Sequence, residues 1–135
     1  MVFDRRLLAA QQLHRAGEVV AAEQLYRDLI SANPFSAEAH HYLGLLEADK
    51  NNLIVAQVRL ERSFCLTPAS ALFHSNMGLL VAQLGDPESA VRAYRRAACL
   101  DPLFCDPIYN EGTLYLNGAD YATARALYAR AMCVA

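Results

Sequence analysis

The chain repeats itself every 34 residues, and that period constrains its fold more than any other feature. Asn33-Pro34, Thr67-Pro68 and Asp101-Pro102 stand one period apart, and so do Gly44, Gly78 and Gly112. Ala22, Ala56, Ala90 and Ala124 form a third series, and Tyr26, Leu60, Tyr94 and Tyr128 a fourth in the same register. A repeat of this length is a supersecondary unit that cannot cover its own apolar face and must stack on its neighbours.

Each repeat reads as two helices. In the second, Ala39, Leu43 and Leu46 recur at helical spacing, Lys50-Asn51-Asn52 breaks the pattern, and Ala56, Leu60 and Phe64 resume it. The recurring Pro stops each second helix, because the residue before it is pushed out of the helical region. Asp86-Pro87-Glu88 offers an N-cap, a Pro at the first helical position and an early carboxylate, and Asp106-Pro107 is expected to do the same. Gly17, Gly85 and Gly118 are each expected in a short turn. No stretch alternates with period two for long enough to make a strand, so the chain reads as all-α.

The small residues explain how a pair closes. Glycine in mid-helix costs about 1 kcal/mol relative to alanine, a cost that is tolerated where a missing side chain lets the partner helix approach. Gly44, Gly78 and Gly112 are expected to receive the helix carrying Ala56, Ala90 and Ala124, with Leu60, Tyr94 and Tyr128 filling the volume beyond.

On these residues the chain resembles the tetratricopeptide repeat family over essentially its whole length. Leu43-Gly44, Ala56 and Pro68 carry the likeness in repeat two. Gly78, Ala90, Tyr94, Ala97 and Pro102 carry it in repeat three, and Gly112, Tyr115, Ala124, Tyr128 and Ala131 in repeat four. The family's early Trp is replaced by Arg6, His40, His74 and Ile108; Ala10 stands for the first Gly, and Leu60 and Ser63 for an aromatic residue and Ala. The resemblance implies one domain over 1–135, with repeats at about 3–36, 37–70, 71–104 and 105–135, the last truncated. It further implies a right-handed superhelical α-solenoid of antiparallel helix pairs.

Composition narrows the function. The chain is 55% hydrophobic and 19% charged with a net charge of -2, too apolar for disorder and without the basic footprint of a nucleic-acid binder. Its longest stretch free of formal charge, Ser63 to Gly85, holds Pro68, His74, Asn76 and Gln83, so no membrane span is expected. The N-terminus has no leader-like apolar core, and a cytoplasmic protein is the expectation. Cys65, Cys99 and Cys133 share one repeat position, and helices packed at ordinary distances hold such residues too far apart to pair. Cys105, across a Pro-containing turn from Cys99, is the one conceivable partner; four free thiols packed as small apolar residues are expected instead. No His-Glu-x-x-His, Cys-x-x-Cys, phosphate loop or Gly-x-Ser-x-Gly is present, so no catalysis, metal or cofactor is expected. His40 and His74 read as packing residues.

What remains is surface. In the family the first helix of each pair lines a concave groove, which turns Leu7, Leu8, Gln11, His14 and Arg15 of repeat one inward. In repeat two the inward set is Glu38, His41, Tyr42, Leu45 and Asp49. Repeat three contributes Leu72, Ser75, Asn76, Leu79 and Gln83, and repeat four Asp106, Tyr109, Asn110, Thr113 and Asn117. Amides bond a peptide backbone in either direction, and Tyr and Leu supply burial. Asn76 and Asn110 form two rungs similar to the asparagine ladder of O-linked N-acetylglucosamine transferases. The family's carboxylate clamp for chaperone termini needs more Lys than this chain has. The expected function is therefore a non-catalytic module binding an extended or helical segment of another protein. Three alternatives stay open: the recognition arm of a larger glycosyltransferase-like enzyme, a chaperone of the type III secretion kind, and self-association through Leu127, Met132 and Val134 at the C-terminal repeat.

Overall fold

A computed structural model describes residues 5–134, with side chains to residue 133. Eight helices follow one another: α1 Arg5–Arg15, α2 Val19–Ala32, α3 Ala37–Asp49, α4 Leu53–Leu66, α5 Ala71–Gln83, α6 Pro87–Leu100, α7 Asp106–Asn117 and α8 Tyr121–Val134. No strand occurs among the described residues, and the all-α class expected from the period holds. The chain forms two compact units that divide between Pro68 and Ala69. Unit one contains α1 to α4 and unit two α5 to α8, two helix pairs each.

In unit one, α1 packs on α2 and α3 on α4, while α2 and α1 both touch α3. The core runs through Ala10, Ala22, Tyr26, Leu29, Ala39, Leu43 and Leu46, all buried. Ala10 stands in the glycine position and still closes on a pair containing the fully buried Tyr26. In the second pair a methyl group at Gly44 would sit 3.1 Å from Arg59 Cβ and 3.2 Å from the Leu60 side chain. Ser63, where alanine is usual, is buried and donates its hydroxyl to the Leu60 carbonyl at 2.6 Å, so the substitution leaves no orphan donor. Arg27 of α2 reaches the buried Glu47 of α3 at 3.9 Å, and Asn52 donates to the same carboxylate at 2.8 Å.

In unit two, α5 packs on α6 and α7 on α8, with α7 also touching α6 and α5. The small-residue contact is tighter here: a Cβ on Gly78 would lie 2.5 Å from Tyr94 Cε1, and one on Gly112 3.0 Å from Tyr128 Cε1. Arg95, at the repeat position of Arg27, donates to the buried Glu111 of α7 at 2.9 Å.

The start signals hold in part. Asp86 accepts from Ser89 N and Pro87 opens α6, as the sequence predicts. Ser36 and Ser70 cap α3 and α5 in the same way. The expectation for Asp106-Pro107 needs correction. Asp106 is already helical and Cys105 precedes it without a side-chain cap, because the register position of Ser36 and Ser70 is here filled by Phe104. The turn glycines Gly17, Gly85 and Gly118 fall in short turns as expected. Backbone with positive φ recurs at Gly17 (82°), Asn51 (65°), Gly85 (86°) and Ala119 (63°), one period apart, whereas Gly118 keeps φ of -86°.

Candidate functional site

Each first helix keeps one face clear of its packing partners, called here its open side, and spacing alone selects which residues that face shows. Leu8, Gln11 and Arg15 on α1, and Glu38, Tyr42, Leu45 and Asp49 on α3, are exposed or half-buried. The same steps along α5 give Leu72, Asn76, Leu79 and Gln83, and along α7 Asp106, Asn110, Thr113 and Asn117. About one residue per turn stays clear of the partner helices, so a row with steps of four, three and four forms on α3, α5 and α7, and its last two steps recur on α1.

Within unit two the amides Asn76 and Asn110 stand at equivalent places on the touching helices α5 and α7, with Leu79 at 43% exposure beside them. Gln83 and Asn117 are exposed at the ends of these rows. Thr113 is committed: its hydroxyl bonds Tyr128 at 2.9 Å and donates to the Tyr109 carbonyl at 3.2 Å. Tyr109 is 56% exposed and lies 5.0 Å, ring to ring, from Tyr128.

Two expected inward residues are not on the open side. His41 is fully buried, and burial pushes its imidazole down to about 4, so it is a neutral core residue and no surface ligand. Ser75, at the same repeat position, is buried too. The reason is the width of the packed arc. On α3, Ala37, Ala39, His40, His41, Leu43, Gly44, Leu46 and Glu47 are all buried, which leaves only a narrow stripe to solvent. His40, by contrast, packs as expected, with its Nε2 on the Pro34 carbonyl at 3.0 Å. The cysteines meet one half of their expectation and overturn the other. All four are free, but Cys65, Cys99 and Cys133 are exposed, because their shared repeat position lies on the outer face of the second helices. Met132 is exposed and Leu127 half-buried, while the side chain of Val134 lies outside the described residues.

Unit one holds the features that sequence reasoning missed. An open cleft of about 310 Å³ is lined by Gln11, His14, Arg15, Tyr26, Tyr42, Leu45 and Asp49. The Tyr26 and Tyr42 rings stack at 6.4 Å, and Tyr26 enters from α2, behind the row. His14 of α1 bonds Asp49 of α3 at 2.5 Å, tying the two first helices together. Burial pushes the Tyr26 phenol up to about 12, and Tyr42 is raised for the same reason and by Glu38. Gln11 and Tyr42 also line a larger cavity of about 920 Å³ that includes Arg5, Leu8, Phe35 and Glu38. The period of Tyr26 with Tyr94 and Tyr128 marked it as a packing residue, and nothing in that pattern signals a cleft.

Among the described residues no group of His, Cys, Asp and Glu could hold a metal ion, and no helix is long and apolar enough to cross a membrane.

In sequence, no family model and no curated protein matches the chain. In structure the likeness is extensive. A crystal structure of MamA superposes with a TM-score of 0.80 at 20% identity, covering 99% of this chain and 76% of that one. Pseudomonas aeruginosa PilF gives 0.90 at 18% identity, covering 97% and 60%. The Thermobaculum terrenum O-GlcNAc transferase gives 0.79 at 27% identity, covering 82% of this chain but only 21% of that protein. These neighbours are helical repeat proteins of the tetratricopeptide type, and the chain has the tetratricopeptide-repeat fold.

Proposed function

We propose that the chain is a non-catalytic protein-interaction module that takes an extended or helical segment of a partner protein along the open rows of its first helices. One observation carries this reading: the row of unit two combines Asn76, Asn110, Gln83 and Asn117 with the solvent-facing Leu79, and the exposed Tyr109 borders it. Amides supply both donors and acceptors to a main chain, and large apolar side chains supply the buried anchors that dominate peptide affinity. The fold itself hosts many ligands, so the argument rests on the row and not on the likeness.

The test is selection of peptides on the wild-type protein from a random displayed library, followed by titration of the selected peptides. Replacing Asn76, Leu79 and Asn110 together with alanine is expected to weaken them by about a hundredfold, on the order of 3 kcal/mol for an anchor and its flanking hydrogen bonds. Unchanged affinity in a variant with an unchanged helical spectrum would overturn the reading.

A second reading has its own support. The match to the O-GlcNAc transferase covers 21% of that enzyme, which places the similarity in one part of a much longer chain. On this reading the module is the recognition arm of a larger enzyme, and the row presents segments to a catalytic domain. Sequencing the transcript that encodes the chain decides it: an open reading frame that adds no catalytic domain would sink the idea.

A further inference from the structure

The outer face of α4 has a composition that neither packing nor helix propensity accounts for. Ile54, Val55 and Val58 are 67%, 49% and 62% exposed there. β-branched side chains are mediocre helix formers, so a solvated helix surface does not select them for stability. Val20, at the repeat position of Ile54 on α2, is exposed as well. One period on, in unit two, α6 fills the three positions with Glu88, Ser89 and Arg92, and Arg92 donates to the Ser89 hydroxyl at 2.8 Å. On α8 they hold Ala122, Thr123 and Ala126. The aliphatic triad therefore belongs to one repeat and not to the period. A local apolar patch rimmed by polar residues is the mark of an interaction surface.

The triad also has a direction. Side chains four apart on a helix line up into ridges. Ile54, Val58 and Arg62 form one ridge on α4, and Val55 and Arg59 the next, so both run from aliphatic to arginine the same way. Arg62 is exposed and Arg59 half-buried, and among the described residues no carboxylate pairs with either. Glu61, the one acid of α4, accepts from Gln57 at 3.2 Å.

We propose that the groove between these ridges docks an amphipathic helix of a partner protein. Its aliphatic side chains lie over Ile54, Val55 and Val58, and a carboxylate at one end meets Arg59 and Arg62. The surface is separate from the open rows, which lie on the first helices, so the inference goes beyond the peptide-binding reading. A second copy of the chain is a poor complement. Antiparallel α4 helices crossing at Val58 would bring each Arg62 to the other's Ile54, and the only acid on either helix is already bonded to its own Gln57. Three aliphatic side chains also fall far short of the roughly 20–30 residues a side that hold a stable dimer.

The experiment displays a library of single helices with one randomised face and selects on the wild-type protein. Counter-selection uses the Ile54→Glu, Val55→Ser, Val58→Arg protein, which carries the residues of α6 at these positions. Selected helices, titrated by fluorescence anisotropy, are expected to bind wild type at least tenfold more tightly than this variant. They should keep their affinity for the Asn76→Ala, Leu79→Ala, Asn110→Ala protein. Changing their acidic residue to its amide should weaken wild-type binding about three- to fivefold, the scale of exposed ion pairs. The same change should matter little to the Arg59→Gln, Arg62→Gln protein; if that variant loses helicity, Arg62→Gln alone carries the charge test. A selection that enriches no helix past the counter-selection overturns the proposal, and so does equal binding of acid and amide helices. Helices that lose affinity only for the Asn76, Leu79 and Asn110 variant would support the open rows and remove this surface. Sedimentation of the wild-type protein alone tests the other occupant: a dimer that the Ile54, Val55 and Val58 variant dissolves would mean that a second copy covers the face.

Discussion

The two units share one plan and carry it out with different residues. Unit two sets glycine against tyrosine in both pairs, Gly78 with Tyr94 and Gly112 with Tyr128, and its Asp86 and Asp120 accept from Ser89 N and Thr123 N at the starts of α6 and α8. Unit one closes over Ala10 and Gly44, with Tyr26 and Leu60, and its α2 and α4 begin at Glu18 and Asn52 without a side-chain cap. Asn52 has turned to Glu47 instead. The difference shows that the period keeps a small residue facing a large one and leaves both the individual residues and their summed volume open. It extends to the open faces: amides and apolar side chains in unit two, arginines, tyrosines and paired acids in unit one.

Acid gives the largest expected effect on that comparison. His41 is buried neutral in unit one, and unit two has the non-titrating Ser75 at its repeat position. The folded imidazole is pushed down to about 4, below its unfolded value near 6.5. Above that upper value neither state is protonated. Between the two, the unfolded chain takes up a proton that the folded one refuses, so stability falls as the pH drops. The loss is on the order of 3 kcal/mol by the lower value. Denaturant midpoints measured across this range should show it, and His41→Ser should flatten the curve; an unchanged slope in the variant would refute the assignment.

Next in size is the glycine contact. A methyl at Gly78 meets the Tyr94 ring at 2.5 Å, and a ring edge in a packed core has nowhere to move. Gly78→Ala is expected to destabilise by about 2 kcal/mol after the gain in helix propensity is counted. At Gly44 the contacts are 3.1 Å to Arg59 Cβ and 3.2 Å to Leu60, which a shift of a few tenths of an ångström relieves, so Gly44→Ala should fall within about 1 kcal/mol of wild type. Urea unfolding of both variants checks the contrast, and equal losses would mean that the two pairs close alike.

The smallest effect lies in the turns. Ala119 holds a left-handed conformation that its three register partners meet with Gly17, Asn51 and Gly85. Ala119→Gly should stabilise the protein by about 0.5–1 kcal/mol, relief of the strain outweighing the added freedom of the unfolded chain. Thermal melting reads the shift, and a lower midpoint would contradict it.

These residues also mark how far the sequence could be read. The period located every helix pair, because Gly, Ala, Tyr and Pro each do a job that few other residues do. Adding 34 to Gly17, Asn51 and Gly85 gives Ala119, but alanine carries no left-handed signal of its own, so the conformation of that turn was not legible. His41 and Ser75 were misplaced for a different reason. Helical spacing gives the direction of a side chain from its own axis and says nothing of how many helices pack around that axis. The cleft was invisible for a related cause: Tyr26 reaches it from behind, on a helix whose period marks only packing.

The outward cysteines have a practical consequence. Cys65 sits on α4 of unit one, and Cys99 and Cys133 on α6 and α8 of unit two, all solvent-facing and none on the helices that carry the open rows. A single-cysteine variant that keeps any one of them accepts a fluorophore or spin label without touching a candidate ligand contact. The molecule therefore comes with its own reporter positions, one for the arginine-bearing face and two for the amide-bearing one.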